Sequence, residues 1–372
     1  MSSDQLPVVN IAPLRLADQQ ARRPAAERIT RAAREVGAFY LVNHGISNVL
    51  IEAVFGCSRD FHGLPLGDKL HYHIRHSFGN RGYVPAPQTD DDTDAEPADL
   101  FKRASPNGST EVNSYASFDL GLDLPADDPD FRAGNLMLGP NVWPQVPHFK
   151  ETVSEYYTAI RELGDVLASA LAQGLGLDGD FFTRHATKPA SQLRLLHYPE
   201  NDQPVPGDDD RIKPHTDYEL FTLVIHQGGG LEIVHRDGGW IAAPAIGTTI
   251  VVLLGDMLEL WTNGYLRSTL HRVANTGKER LSIPFFYGLD YYTRVEPIQA
   301  FVGGTDEVTY EPMVAGEHLL NFTIKGCKHL RRRLASGSLV LAFEPRADNP
   351  FKERALAELA TRRGAPDERH AT

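Results

Sequence analysis

Cysteines and long apolar runs are scarce in this chain of 372 residues, and basic side chains are fewer than acidic ones. The two cysteines, Cys57 and Cys327, have no CxxC spacing, which excludes a disulfide framework and predicts two free thiols. No segment approaches the roughly 18 consecutive apolar residues that a membrane-spanning helix needs. The first residues also lack the basic start and apolar run of a secretory signal. We therefore expect a cytoplasmic protein without a membrane partner.

The charge balance is acidic. There are 37 Lys and Arg residues against 49 Asp and Glu residues, which gives a formal net charge of -12. Such a surface repels a polyanion, so nucleic acid is not expected as a partner. Hydrophobic residues make up 41% of the chain, which is ordinary for a globular protein with a large core.

The first half of the chain carries helical and strand signals in alternation. Residues 7–12 and 39–42 are predicted strands, because they are rich in β-branched and aromatic residues. Residues 17–36 are predicted to be helical, and Ser47 is a candidate cap for the helix that follows. The clearest helical period lies at residues 151–173, where apolar residues recur at three- and four-residue intervals.

From about residue 192 the pattern changes to short apolar runs separated by turn residues. The predicted strands of this part are Leu220–Ile225, Leu231–Val234, Thr248–Leu254, Leu258–Trp261, Ser268–Val273, Leu281–Tyr287 and Thr293–Ile298. Several short strands at this spacing indicate a β-sandwich, a jelly roll or a barrel. A helix is predicted to return at about residues 315–333.

We expect one structural unit in three parts. Residues 1–150 form a helical and strand region that packs on the core, residues 151–335 form the core itself with a helix at each end, and residues 336–372 form a charged tail. The tail holds one short helical pattern near residues 351–362. Residues 77–148 are irregular, and they fit either a solvated loop or a flap over the functional site.

The most informative motif is His215-Thr216-Asp217, which is followed along the chain by His271. Alternate residues of a strand project to the same face, so His215 and Asp217 can bind one ion while Thr216 points away. Two imidazoles and one carboxylate form a facial triad, which holds Fe(II) and leaves coordination positions open for substrates and dioxygen. The sequence therefore predicts a non-haem iron centre.

Arg280 and Ser282 add a second element to this prediction. They begin the strand that follows the one containing His271, and their spacing places both on one face. A guanidinium fork matches a carboxylate in a bidentate manner, and a hydroxyl adds a further hydrogen bond. We therefore expect a carboxylate-bearing co-substrate opposite the metal.

With these motifs, the chain resembles the Fe(II)/2-oxoglutarate-dependent dioxygenases of the isopenicillin N synthase-like family. The resemblance covers about residues 7–335. The segments that carry it lie in both halves of the chain, at residues 37–46, 141–144, 193–199, 215–217, 270–273 and 280–286. It implies an α+β fold with a mainly β core, a distorted double-stranded β-helix (jelly roll) with flanking helices.

The resemblance also implies roles for individual residues. His215, Asp217 and His271 would bind Fe(II) and serve catalysis, while Arg280 and Ser282 would hold 2-oxoglutarate together with Tyr198. Dioxygen would be the second co-substrate, and a small-molecule metabolite would be hydroxylated, desaturated or cyclised with release of succinate and CO2.

Two other functions stay open at this point. One is a same-fold iron oxidase that does not use 2-oxoglutarate, similar to isopenicillin N synthase or aminocyclopropane carboxylate oxidase. The other is a non-enzymatic jelly-roll binding protein. From their positions in the sequence alone, five residues are predicted to contact the substrate: Phe221, Phe285, Tyr287, Arg81 and Tyr83.

Overall fold

The computed structural model describes residues 5–16, 18–86, 115–200, 210–235, 238–303 and 310–364. Residues 87–114, which make up a large part of the predicted flap, lie outside the described residues. The two cysteines are free, as predicted.

The helices of the described residues are α1 (Gln19–Glu35), α2 (Asn48–His62), α3 (Leu66–Leu70), α4 (Pro129–Arg132), α5 (Phe149–Gly174), α6 (Asp256–Trp261), α7 (Ala315–Gly326), α8 (Lys328–Ala335) and α9 (Pro350–Gly364). Ser47 caps α2 as predicted, because its hydroxyl accepts a hydrogen bond from the backbone N–H of Leu50 at 3.1 Å. Within the described ranges no helix combines the length and the apolar character that crossing a bilayer requires.

The strands are β1 (Val8–Asn10), β2 (Ala38–Val42), β3 (Gly82–Val84), β4 (Ala116–Gly121), β5 (Gln192–Tyr198), β6 (Asp210–His215), β7 (Phe221–Gln227), β8 (Leu231–Val234), β9 (Trp240–Ala242), β10 (Ile250–Leu254), β11 (His271–Ala274), β12 (Arg280–Tyr287), β13 (Arg294–Val295) and β14 (Met313–Val314). One sheet has the order β1-β2-β10-β7-β12-β5-β4-β3, and a second has the order β6-β11-β8-β9. All neighbouring strands in these two sheets are antiparallel except β1 and β2.

The two sheets face each other. Ala38 and Tyr40 of β2 pack in one apolar cluster with Leu231 and Ile233 of β8, which belongs to the other sheet. The alternate residues of β2 point the opposite way, as the two-residue period of a strand requires, and Phe39 belongs to the cluster beneath the helices. Helices α1, α2 and α5 supply the other side of that cluster. The large sheet is thus buried on both faces, and the cleft between the sheets is where a jelly roll holds its ligand.

Some predicted boundaries are wrong. Residues 258–261, predicted as a strand, belong to helix α6, and the predicted strand at 293–298 shrinks to Arg294–Val295. The predicted helix at 315–333 is two helices, since Cys327 between them has an extended backbone. The division at residues 150 and 335 stays a prediction, although strands from the first part lie inside the large sheet.

Candidate active site

The pairing of β6 with β11 brings the three predicted metal ligands together. His215 ends β6, Asp217 follows it after one residue, and His271 begins β11 directly opposite His215. One nitrogen of each imidazole and one oxygen of Asp217 lie within 4.8 Å of one another. The Nε2 atom of each histidine is 3.7 Å from Oδ1 of Asp217. Residues that are distant in the sequence thus present three donor atoms to one point.

Hydrogen bonds to the backbone fix both imidazole rings. Nδ1 of His215 lies 2.9 Å from the carbonyl oxygen of Lys213, and Nδ1 of His271 lies 2.9 Å from that of Thr269. A carbonyl only accepts, so each Nδ1 carries the proton and each Nε2 keeps its lone pair toward Asp217. This is the tautomer that a metal-binding histidine needs.

The electrostatics of the three side chains also suit a cation. Burial, together with the neighbouring imidazole of His271, holds the pKa of His215 well below its usual range. A neutral ring does not have to lose a proton before it binds a metal ion. The side chains of Asp217 and His271 are 6% and 7% exposed, whereas that of His215 is 28% exposed. The centre is therefore accessible from the side of His215.

The second predicted group lies on β12, between β5 and β7. Arg280 is opposite Tyr198 of β5, and Ser282 is opposite Leu196 of β5 and His226 of β7. The guanidinium carbon of Arg280 is 4.9 Å from the centre of the Tyr198 ring. Because Arg280 and Ser282 are two residues apart on an extended strand, both face the same side of the sheet.

This side is the one that faces the triad. Thr222 of β7 donates a hydrogen bond from its hydroxyl to Oδ2 of Asp217. His226 lies four residues further along the same strand, so it shares a face with Thr222, and it lies directly opposite Ser282. The triad and the Arg280–Ser282 pair therefore share one interior space between the two sheets.

Arg280 has donors to spare in this space. Its side chain is 3% exposed, yet neither Nε nor Nη1 has a hydrogen-bond partner among the described residues. Burial lowers the pKa of Arg280, because the charged guanidinium group is poorly solvated there. A buried cation with unpaired donors is costly unless an anion joins it. The residues thus fit a bound carboxylate, and the donor set of two imidazoles and one carboxylate fits Fe(II).

Comparisons with known proteins agree with this geometry. Residues 189–289 match the model of the 2OG-Fe(II) oxygenase superfamily, and residues 6–146 match the model described as non-haem dioxygenase in morphine synthesis N-terminal. The 2-oxoglutarate-dependent dioxygenase tropC of Talaromyces stipitatus is 31% identical over 316 residues, which cover 82% of this chain and 89% of the relative. This chain belongs to the 2OG-Fe(II) oxygenase superfamily.

Other relatives of this oxygenase include enzymes from plants. Homoarginine-6-hydroxylase 2-ODD-233 of Oryza sativa subsp. japonica is 30% identical over 341 residues, which cover 86% of this chain and 97% of the relative. Among solved structures, a full-length Neurospora crassa protein in complex with alpha-KG superposes with a TM-score of 0.70 and 26% identity. That alignment covers 87% of this chain and 97% of the other. The predicted jelly-roll fold and the predicted family are confirmed.

The oxygenase is therefore a 2-oxoglutarate-dependent dioxygenase that uses Fe(II), 2-oxoglutarate and dioxygen. When bound, Fe(II) supplies the oxidation chemistry, in which 2-oxoglutarate gives succinate and CO2 while the substrate is oxidised. The relatives favour this prediction over both alternatives, the oxidase without 2-oxoglutarate and the binding protein without activity.

Three of the predicted substrate contacts lie away from the triad of the oxygenase. Phe285 and Tyr287 are an odd number of residues from Ser282, so they point to the opposite face of β12, into the cluster beneath the helices. Phe285 contacts Tyr157 of α5 edge to face at 5.3 Å, and Phe221 stacks on Tyr287 at 4.8 Å. The structure does not bring these side chains to the metal centre.

The other two nominated contacts are also buried elsewhere. Tyr83 is 2% exposed and packs against Phe61 of α2 at 5.5 Å. Arg81 is 1% exposed and donates from Nη2 to the carbonyl oxygen of Met137 at 2.7 Å. Both side chains have protein partners, and neither joins the triad within the described part of the chain.

Sequence reasoning missed two polar side chains that support the site of the oxygenase. Thr222 fixes one carboxylate oxygen of Asp217, and His226 lies beside Ser282 with Nε2 unpartnered among the described residues. Burial, aided by the charge of Arg280, lowers the pKa of His226 to about 3, so its ring is neutral. Thr222 and His226 are four residues apart and so lie on one face of a largely apolar strand, and this shared face is the signal that could have identified them.

Proposed function

We propose that His215, Asp217 and His271 hold the ferrous ion of this dioxygenase. The observation that carries the proposal is the convergence of their three donor atoms within 4.8 Å. The backbone carbonyls of Lys213 and Thr269 keep the rings oriented, so the protein needs little rearrangement to bind the ion.

We propose further that Arg280, Ser282 and Tyr198 hold the distal carboxylate of 2-oxoglutarate. The unpaired donors of Arg280 support this role, since an entering carboxylate would supply an acceptor that the described residues do not. The ring of Tyr198 lies beneath the guanidinium group and limits its movement. These residues would orient the co-substrate toward the metal and exclude water from its distal end.

The substrate, in this proposal, is a small molecule that enters on the side of His215 and is hydroxylated. Arg194 of β5 lies on the same face as Tyr198 and forms an ion pair with Asp119 of β4 at 3.2 Å. Oδ1 of Asp119 has no hydrogen-bond partner among the described residues, so it suits a donor group of the substrate. Tyr218, next to Asp217, stacks on Phe322 of α7 at 5.0 Å and offers an aromatic wall.

A screen of small molecules for stimulated succinate release tests this function. The full-length protein with Fe(II) and 2-oxoglutarate should release succinate in step with a product that has gained one oxygen atom. Asp217→Asn should abolish both signals, because the metal loses its carboxylate ligand. Asp130→Asn is the matched control, since Asp130 pairs with Lys188 at 2.6 Å outside the site. Full turnover by Asp217→Asn would overturn the assignment of the ligands.

A further inference from the structure

The C-terminal segment, defined here as residues 346–364, is bound tightly to the core behind the metal centre. Asn349 is 5% exposed and Phe351 is fully buried. Phe351 packs on Tyr310 with a ring distance of 4.9 Å and lies edge-on to His318 of α7 at 5.8 Å. The sequence alone indicated a charged tail here, but these contacts belong to a structural element of the core.

The first link from this segment to the metal centre runs through Asn349. Its amide nitrogen donates to Oδ2 of Asp256 at 2.7 Å and lies 3.4 Å from the hydroxyl of Thr216, its second acceptor. Thr216 stands between the two ligands His215 and Asp217. The backbone N–H of Asp256 donates to the carbonyl oxygen of Asp217 at 2.9 Å. One side-chain amide thus connects the ligand strand with the first turn of α6.

The second link runs through Arg354 of α9. Its Nη2 donates to Oε2 of Glu259 at 2.8 Å. The same oxygen of Glu259 accepts from the backbone N–H and the hydroxyl of Ser268, at 2.6 and 2.7 Å. Ser268 precedes Thr269, whose carbonyl oxygen orients the ring of His271. The third ligand is therefore connected to the same segment through a different carboxylate.

The two intermediate carboxylates make these links energetically significant. Asp256 and Glu259 are both completely buried on α6. A buried carboxylate is tolerated only when hydrogen bonds and opposite charges satisfy it. For Asp256 the partners of Oδ2 are Asn349 and His318, the latter at 3.0 Å. Loss of the Asn349 amide would remove the side-chain connection between α6 and Thr216 and leave His318 as the remaining partner of Oδ2.

We propose that Asn349 and Arg354 are positioning residues for the iron centre. The C-terminal segment holds both ligand strands from behind, through Asp256 and Glu259, and so sets the affinity of the enzyme for Fe(II). This inference rests on the proposed function, because it needs the triad to be the iron site. Groups that orient metal ligands typically contribute about 10- to 100-fold to metal affinity.

One substitution separates this role from general stability. Oδ1 of Asn349 also caps α9, since it accepts from the backbone N–H groups of Phe351 and Lys352 at 2.9 and 3.3 Å. Serine is a good N-cap but has no amide to donate to Asp256. Asn349→Ser therefore keeps the cap and removes the link, whereas Ser47→Ala removes a cap from α2, outside the site.

The test is an anaerobic titration of each metal-free, full-length variant with Fe(II), followed by addition of 2-oxoglutarate and measurement of the visible charge-transfer band. Asn349→Ser should raise the Kd for Fe(II) about 10-fold. Its thermal unfolding midpoint should also fall, because the buried Asp256 loses a hydrogen bond. Ser47→Ala should lower the midpoint through the loss of a cap and leave the Kd at the wild-type value. The side chain of Arg354 is 21% exposed, so it tolerates substitution. Arg354→Gln should also raise the Kd for Fe(II).

Wild-type Kd values for both Asn349→Ser and Arg354→Gln would overturn the inference. An equal rise in Ser47→Ala would do the same, because affinity would then follow stability alone. His215→Ala separates this failure from that of the proposed function. If His215→Ala still binds Fe(II) and gives the band, the ligand assignment itself is wrong; if it does not, only the positioning role has failed.

Discussion

Substitution of Arg280 by lysine tests the co-substrate site, because lysine keeps the charge and removes the fork. Arg280 has two donors, Nε and Nη1, without a hydrogen-bond partner among the described residues, and a carboxylate can bind along the edge that either of them forms with Nη2. A lysine ammonium group is a point charge and cannot reproduce a planar bidentate contact. One hydrogen bond to a charged group contributes about 1.5–3 kcal/mol, so we expect about that loss of binding free energy for 2-oxoglutarate. This corresponds to a rise in Kd of about 10- to 150-fold.

Calorimetric titration of the anaerobic Fe(II) protein with 2-oxoglutarate measures this rise directly. Arg161→Lys is a matched control, since Arg161 of α5 is partly buried and donates to the carbonyl oxygen of Ala186 at 3.3 Å, outside the site. The affinity for Fe(II) should be the same in all three proteins, because Arg280 does not contact the triad. An unchanged Kd for 2-oxoglutarate in Arg280→Lys would refute the carboxylate assignment.

Three further predictions follow from individual contacts. Thr222→Val removes the hydrogen bond to Oδ2 of Asp217 at constant shape, and an Fe(II) titration should show about 10-fold weaker binding; wild-type affinity would count against this support. Burial lowers the pKa of His62 from 6.5 to about 3, so the unfolded chain binds the extra proton. Stability is then lost as pH falls below 6.5, by about 2 kcal/mol between pH 7 and pH 5, and His62→Gln should remove this part of the slope in denaturant melts. Tyr287→Phe removes a hydrogen bond to Asp165 and should cost about 1 kcal/mol of stability without changing KM for 2-oxoglutarate; a changed KM would return Tyr287 to the site.

The candidate site was largely predictable from the sequence because it depends on strand parity. His215 and Asp217 are two residues apart at a strand end, as are Arg280 and Ser282 within β12, and extended chains place such pairs on one face. The same rule would have excluded Phe285 from the cavity, since β12 pairs with β7 without a bulge from Leu281 to Tyr287. A bulge in β12 would have reversed this parity, and the sequence alone does not reveal whether one is present.

Local patterns failed where an apolar run was short. Residues 258–261 are buried on all sides, so they show neither a two-residue nor a helical period, and the helix α6 was predicted as a strand. The helix begins after Gly255, which packs against the carbonyl oxygen of Glu219. Such a tertiary contact decides the conformation there and leaves no local signal.

The role of the C-terminal segment was not predictable for a different reason. The bond between Asn349 and Asp256 joins residues that are 93 positions apart, and that between Arg354 and Glu259 spans 95 positions. Neither contact belongs to a motif or a periodic pattern. The sequence predicted the short helix near 351–362, but only the three-dimensional arrangement connects it to the ligand strands.

Anaerobic Fe(II) binding by the wild type and by the three single variants His215→Ala, Asp217→Ala and His271→Ala tests the central claim most directly. The wild type should bind one equivalent of Fe(II) and develop a visible charge-transfer band when 2-oxoglutarate is added. Each variant should lose the band, because the three donor atoms bind one ion. Each should keep the circular dichroism spectrum of the folded protein. Retention of a wild-type band by any of the three folded variants would contradict the account.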